Sequence, residues 1–171
     1  MLAGPAAGRT AIDVACGAGV ETHALLEAQW RVYAFDADPV APEVVYARTR
    51  YVPNARMAVE WKRFTDLVTL PAAHLVYAGY ALPYVPPGDF DRVWSLVRSA
   101  LQPGGVFAGN LFGDRDSWVG DSGLTFLSAT AARTLFDGMD VLRFDETEGD
   151  GPGFSGDKHW HTYDVIARMP A

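Results

Sequence analysis

Cysteine is almost absent from this chain: Cys16 is the only one in 171 residues. One thiol cannot form an internal disulfide framework, and this points to a cytoplasmic setting. Lysine is nearly as scarce, with only Lys62 and Lys158, and the arginines are scattered. Acidic residues outnumber basic ones 21 to 14, for a formal net charge of −7. That balance argues against nucleic acid as the main partner, because phosphate binding needs clustered Lys and Arg. No apolar run reaches the ~18 residues of a membrane span. The N-terminus also lacks the basic stretch and apolar run of a secretory leader. What remains is an ordinary globular composition, 49% apolar and 20% charged. The length suits one domain, 1–171, with a real core.

The most informative stretch runs from Ala11 to Pro39, AIDVACGAGVETHALLEAQWRVYAFDADP. It reads as a strand, a glycine-bearing turn, a helix, a second strand, and an acid at that strand's end. Ala11 to Ala15 form the first strand around Asp13, and Cys16-Gly17-Ala18-Gly19 is the turn. Val20 to Gln29 has helical spacing, with Val20, Ala24, Leu25 and Ala28 on one side. Arg31 to Phe35 is the second strand. Glycine lets backbone approach a ligand where a side chain would block it. Asp36 follows Gly17 at the separation where an acid meets ribose hydroxyls. A dinucleotide fingerprint needs a third glycine, but Thr22 stands in its place. Glu21 at the helix start would also repel a diphosphate, so a nicotinamide-dependent oxidoreductase is disfavoured.

Beyond this unit, strands and helices continue to alternate. Val40 to Arg50 reads as a helix and Met57 to Phe64 as a strand. His74 to Tyr80 reads as a strand, Phe90 to Leu101 as a helix and Val106 to Phe112 as a strand. Ser128 to Phe136 reads as a helix capped by Ser128. Val141 to Glu148 and His159 to Arg168 read as two final strands, joined by a loop from Gly149 to Asp157. The order predicts a Rossmann-like, doubly wound α/β fold. Its sheet is expected to have seven mostly parallel strands, with an antiparallel strand at the C-terminal end.

The pattern D-x-x-C-G-x-G at Asp13 to Gly19 resembles the first motif of class I S-adenosylmethionine-dependent methyltransferases. The L-x-P-G-G turn at Leu101 to Gly105 is similar to the one that enters the family's fifth strand. His74 to Pro87, HLVYAGYALPYVPP, looks like the fourth strand and the loop where cofactor and acceptor meet. NLFGDRDSW from Asn110 and KHWHTYDVIAR from Lys158 look like the small bacterial tellurite-resistance and thiopurine-type enzymes. The resemblance implies S-adenosylmethionine as cofactor and a small molecule as methyl acceptor. It implies cofactor contacts from Asp13, Cys16, Gly17, Gly19, Asp36, Ala37, Phe64, Thr65 and Gly79. Ala15 replaces the family's commonest glycine. No acid follows strand three at the adenine position unless Asp66 serves. Few residues precede Ala11, where the family carries covering helices, so an open pocket, a homodimer that shares cover and a missing start are all open.

Acceptor contacts are expected from Tyr80, Tyr84, Phe112, Arg115 and Trp118, near the carboxyl ends of strands four and five. Tyr77 lies in the same region. An aromatic face can also stabilise a sulfonium. Arg115 could hold an anionic acceptor or simply pair with Asp114 and Asp116. Methyl transfer needs no catalytic triad, and none is evident. His159, His161 and Tyr80 are the candidates for a base. On a strand His159, His161 and Tyr163 share one face, and Trp160 and Thr162 the other. The histidines could equally be packing residues. Two histidines without a third ligand do not make a metal site. His74 reads as structural, and His23 as solvent-facing. Cys16 reads as packing or a cofactor contact. A fold of this kind can also use the sulfonium for cyclisation or rearrangement, or serve as a non-catalytic binding module.

Overall fold

A computed structural model of the chain describes residues 8–153 and 156–171. Strand β1 is Thr10–Val14 and β2 is Arg31–Asp36, with helix α1 at Val20–Glu27 between them. Helix α2, Ala41–Thr49, leads to β3, Arg56–Trp61, and a 3₁₀ turn at Phe64–Asp66. Strand β4 is Ala73–Ala78, followed by a 3₁₀ turn at Leu82–Tyr84 and helix α3 at Pro87–Ala100. Strand β5 is Leu101–Gly113, β6 is Phe126–Leu127 and helix α4 is Ala129–Thr134. Strands β7, Asp140–Gly153, and β8, Gly156–Arg168, close the chain as a long hairpin.

The sheet order is β3-β2-β1-β4-β5-β8-β7. Strands β3, β2, β1, β4 and β5 are parallel, while β8 runs antiparallel to β5 and β7. The Rossmann-like class expected from the sequence holds. The difference is an eighth strand: β6 is two residues long and pairs parallel with Phe112 and Gly113 of β5. Phe112 pairs with Thr162 on its other side, so β6 continues the line of β4 past that strand's end.

Two apolar layers flank the sheet. On one face Trp94, Phe107 and Phe136 lock α3 to β5 with ring centroids 5.1–5.6 Å apart. On the other, Leu26, Trp30 and Val45 cover Ala11, Val32 and Ala34. Burying such side chains is the main favourable term in folding. The buried residues of α1 are Thr22 and Leu26, while Val20 is exposed. This differs from the side expected from spacing, because the start of α1 faces the open end of the sheet. The Gly149 to Asp157 loop is also corrected. Gly149–Gly153 and Gly156–Asp157 belong to the paired hairpin. The Pro103-Gly104-Gly105 turn lies inside β5: Ala73 pairs with Leu101 and Leu75 with Val106, so Gln102 to Gly105 bulge opposite His74. Ser128 caps α4, its Oγ accepting from the Ala131 N–H at 3.2 Å.

Candidate active site

Strand order reverses between β1 and β4, and in open α/β sheets the crevice beyond the carboxyl ends at such a point takes the ligand. The glycine turn sits there. Gly17 has φ +48° and Gly19 φ +74°, both in the left-handed region. Their surroundings differ. A side chain at Gly19 would strike Val45 of α2 at 2.8 Å, so this glycine serves close packing. A Cβ at Gly17 would meet nothing within 4 Å, so its surface is open to a ligand. Cys16 anchors the turn to β2 by donating its N–H to the Phe35 carbonyl at 3.0 Å.

Asp36 ties this turn to the end of β2. Its Oδ2 accepts the Gly17 N–H and its Oδ1 the Asp38 N–H, each at 2.8 Å. Asp13 is buried beneath, its Oδ2 taking the Thr22 hydroxyl at 2.5 Å. Burial raises its carboxyl from 3.8 to about 6, against the lowering effect of the Thr22 bond. Glu21 and then Asp36 add to the rise. Burial also pushes the Cys16 thiol up to about 12, with Asp13 and Asp36 adding, so it is a packing group rather than a nucleophile. Ala37 is exposed just after Asp36, and its carbonyl accepts from the Trp61 indole at 3.0 Å. Phe64 packs edge-on against Phe35 at 6.0 Å. Exposed Thr65 donates to Asp66, whose carboxylate also takes Arg63 at 3.1 Å. Gly79 must be small, since a Cβ there would run into the Tyr77 ring.

Next to Gly79 the chain enters an aromatic cleft of about 940 Å³. Tyr80, Tyr84, Trp160 and Thr162 line it, with Thr147 and Gly149 from β7. Phe112 is fully buried below, 6.0 Å from Tyr84 and 5.9 Å from Trp160. Trp118 stands 5.7 Å from Trp160. Tyr80 has φ +49°, and its N–H donates to Asn110 Oδ1 at 3.1 Å. Asn110 in turn bonds Asp164 through its amide nitrogen. Burial pushes the Tyr80 and Tyr84 hydroxyls above the ordinary phenol value, with Asp164 and Asp116 adding respectively. Both stay protonated and act as hydrogen-bond donors near neutral pH.

Phe112 and Trp118, expected as acceptor contacts, back this wall rather than line it, and three further sequence candidates lie elsewhere. Arg115 pairs with Glu146 at 2.7 Å and Glu148 at 2.8 Å on the hairpin's other face. These carboxylates hold its guanidinium well charged, and Arg115 in turn lowers Glu148 to about 2. His159 bonds Asp150 at 2.7 Å and Glu148 at 3.0 Å, which keeps its imidazole above the usual histidine range. His161 is fully buried, and its Nδ1 accepts the Arg115 backbone N–H at 3.0 Å. An N–H can only donate, so Nδ1 is occupied and Nε2 carries the proton toward Glu146, 3.1 Å away. The alternation of β8 causes this: Trp160 and Thr162 face the cleft, while His159 and His161 face away. His161 therefore cannot take a proton from a ligand in the cleft.

The main site residues not anticipated from the sequence are Trp160, Thr162, Thr147, Asn110 and the buried pair Lys158–Asp116. Period-two counting places Trp160 and Thr162 on one face, but only the pairing of β8 with β5 shows which face is the cleft.

Comparison with known proteins agrees with this architecture. The family model described as a methyltransferase domain matches residues 11–105, more than half of the chain. No curated protein sequence matches it. Among solved structures, TehB from Haemophilus influenzae superposes with a TM-score of 0.80 at 11% identity. That match covers 94% of this chain but only 57% of TehB. The N-methyltransferase NodS from Bradyrhizobium japonicum, in complex with S-adenosylhomocysteine, has a TM-score of 0.73 at 17% identity, covering 96% and 80% of the two chains. The 1,6-didemethyltoxoflavin-N1-methyltransferase from Burkholderia thailandensis has a TM-score of 0.69 at 16% identity, covering 96% and 72%. The glycine turn, the acid that clamps it and the family match together show that this chain belongs to the methyltransferase-domain family.

Proposed function

We propose that this chain transfers the methyl group of S-adenosylmethionine to a small-molecule acceptor in the aromatic cleft. The observation that carries the proposal is the Asp36 carboxylate on the Gly17 N–H, beside the open surface of that glycine and one strand from the cleft. These residues fit the cofactor. Gly17 leaves room for its amino-acid part, Asp36 keeps lone pairs for ribose hydroxyls, and Asp13 places a carboxylate under the turn. Ala37, Phe64 and Thr65 stand at the ends of β2 and β3, where the adenine would lie. Several solved structures of this fold, NodS among them, carry S-adenosylhomocysteine or S-adenosylmethionine.

When bound, the cofactor supplies an electrophilic methyl on a positive sulfur, a leaving group that needs no proton. The chain's task is then to align the acceptor, and alignment alone can supply much of the rate. Tyr80 and Tyr84 would donate hydrogen bonds to it, and Trp160, backed by the buried Phe112, would hold its apolar body. Among the described residues, no histidine or cysteine lines the cleft. Glu148 and Asp150 border it, but their carboxylates turn away to Arg115 and His159. The acceptor atom is therefore one that is nucleophilic near neutral pH without a protein base.

A small-molecule acceptor accords with the −7 charge, which disfavours nucleic acid. No described helix is long and apolar enough to cross a membrane. A cytoplasmic setting rests on the single cysteine, and a homodimer sharing cover over the pocket belongs to the same proposal. Light scattering that finds a fully active monomer would remove the dimer. The first test is calorimetric titration with S-adenosylmethionine, S-adenosylhomocysteine and NAD. Binding of the two sulfur ligands with NAD silent supports the assignment; silence toward both overturns it. In a later acceptor screen, turnover that leaves the cofactor intact would replace methyl transfer with rearrangement chemistry.

A further inference from the structure

Behind the cleft wall lies a charged group that methyl transfer does not use. Lys158 Nζ is buried 2.7 Å from Asp116 Oδ1 and 2.9 Å from Oδ2. Asp116 also accepts the Trp118 N–H at 2.9 Å and the His161 N–H at 3.2 Å. The ammonium lies 3.6 Å from the Trp118 ring centroid and 3.8 Å from that of Trp160, with Phe112 at 5.0 Å. The chain thus fills its own aromatic box with one of its two lysines.

We infer that the Lys158–Asp116 pair is a specificity device: it makes the Trp160 wall of the acceptor cleft favour planar neutral or anionic acceptors and reject cationic ones. The inference rests on the reading of the cleft as the acceptor site. An aromatic face attracts cations through its negative quadrupole. With Lys158 on one face of Trp160, only the other face and the ring edge remain for a ligand. A second cation there would meet a ring already polarised by the first, and the positive end of the pair behind it. An electron-rich or anionic ring gains from the same arrangement. The acidic groups around the cleft do not reverse this preference. Glu148 and Asp150 are paired with Arg115 and His159; Asp164, hydrogen-bonded by the neutral Asn110 amide, keeps its charge but does not line the cleft. Of the other lining residues, the phenols Tyr80 and Tyr84 are protonated and can donate hydrogen bonds, which also favours electron-rich partners.

The experiment compares three bicyclic probes of like shape by calorimetry: a naphthoate, a naphthol and an N-methylquinolinium. In the wild-type protein the cation is expected to bind about tenfold more weakly than the anion, the scale of one cation–π contact. The double variant Lys158→Met/Asp116→Asn removes both charges and keeps the volume, and the preference should then fall to within about twofold. Tyr84→Ala should weaken the naphthoate and the naphthol, which places them in the cleft. Absence of any probe binding, or binding that Tyr84→Ala leaves unchanged, overturns the cleft reading and this inference with it. Probes that bind in the cleft with the cation as tight as the anion overturn the inference alone. So does a folded double variant whose preference is unchanged. If the double variant does not fold, the wild-type comparison still decides.

Discussion

Asp13 is a carboxylate held where folding alone would not choose one, and Asp13→Asn measures the cost. The side chain is 2% exposed, and its carboxyl stands at about 6 rather than 3.8 because burial disfavours the charged form. At about 1.36 kcal/mol per unit, that shift is a penalty of about 3 kcal/mol once Asp13 is ionised. The folded-state value is raised, so the folded protein binds the proton more tightly than the unfolded chain. Stability linked to Asp13 is therefore fully present below 3.8 and is lost as the pH rises through about 6. Asparagine has no charge to bury, and its side-chain oxygen can accept the same Thr22 hydroxyl. Asp13→Asn should thus gain on the wild type by about 2.4 kcal/mol between pH 4 and pH 7.5, whatever constant offset the substitution brings. Urea denaturation at several pH values reads this gap directly. Affinity for S-adenosylmethionine should fall in the same variant, because the carboxylate under the turn is gone. A stability gap independent of pH across that window would refute the reasoning, since nothing but the titration of Asp13 predicts the slope.

Gly17→Val should cost only about 1–2 kcal/mol of stability through its positive φ, because its Cβ meets nothing. It should abolish cofactor binding in the calorimeter, and retained binding would move the site elsewhere. A thiol raised from 9 to about 12 carries about a thousandfold less thiolate, so Cys16 should alkylate that much more slowly in the native protein than in urea at pH 8. Equal rates would mean that the turn opens freely. For His159 the shift is upward, caused first by Glu148 and then by Asp150. The hairpin stabilisation it gives is present below the unfolded value of 6.5 and fades as pH rises through the higher folded value. Its NMR titration midpoint should lie above 6.5 in the wild type and fall in Glu148→Gln.

The half of the molecule around the glycine turn was legible because its signals are local. A strand, a turn with Gly17 and Gly19, a helix and an acid at Asp36 lie within one short run, and the parallel pairing of β1 with β2 brings the ends together. Periodicity failed on α1 because it reports the face of an isolated helix. Which face is buried depends on where the sheet ends, and Val20 starts the helix beyond that edge. The strand character of Gly149 to Asp157 is hidden in the sequence for a related reason. Glycine and aspartate there suggest a loop, yet the ladder from Asp140–Arg168 to Gly153–Gly156 carries those residues as strand.

The half around the aromatic cleft depends instead on contacts between distant segments, and Asp114-Arg115-Asp116 shows why residue type alone misplaces them. As a sequence it is a single polar rim after strand five. In the fold the three side chains divide. Arg115 turns out to Glu146 and Glu148, and Asp114 lies 3.8 Å from the His161 ring. Asp116 turns in, to a lysine 42 residues later. The division follows from β8, where Lys158, Trp160 and Thr162 alternate with His159 and His161. The histidines, chosen from the sequence for their chemistry, serve the outer ion-pair network. The tryptophan and the lysine, chosen for nothing, form and back the wall that the acceptor would touch. Substitutions on the two faces should separate accordingly: Trp160→Ala should raise the acceptor KM more than Arg115→Gln, which should mainly lower hairpin stability. An acceptor KM that responds to Arg115→Gln and not to Trp160→Ala would put the binding face on the wrong side of the hairpin.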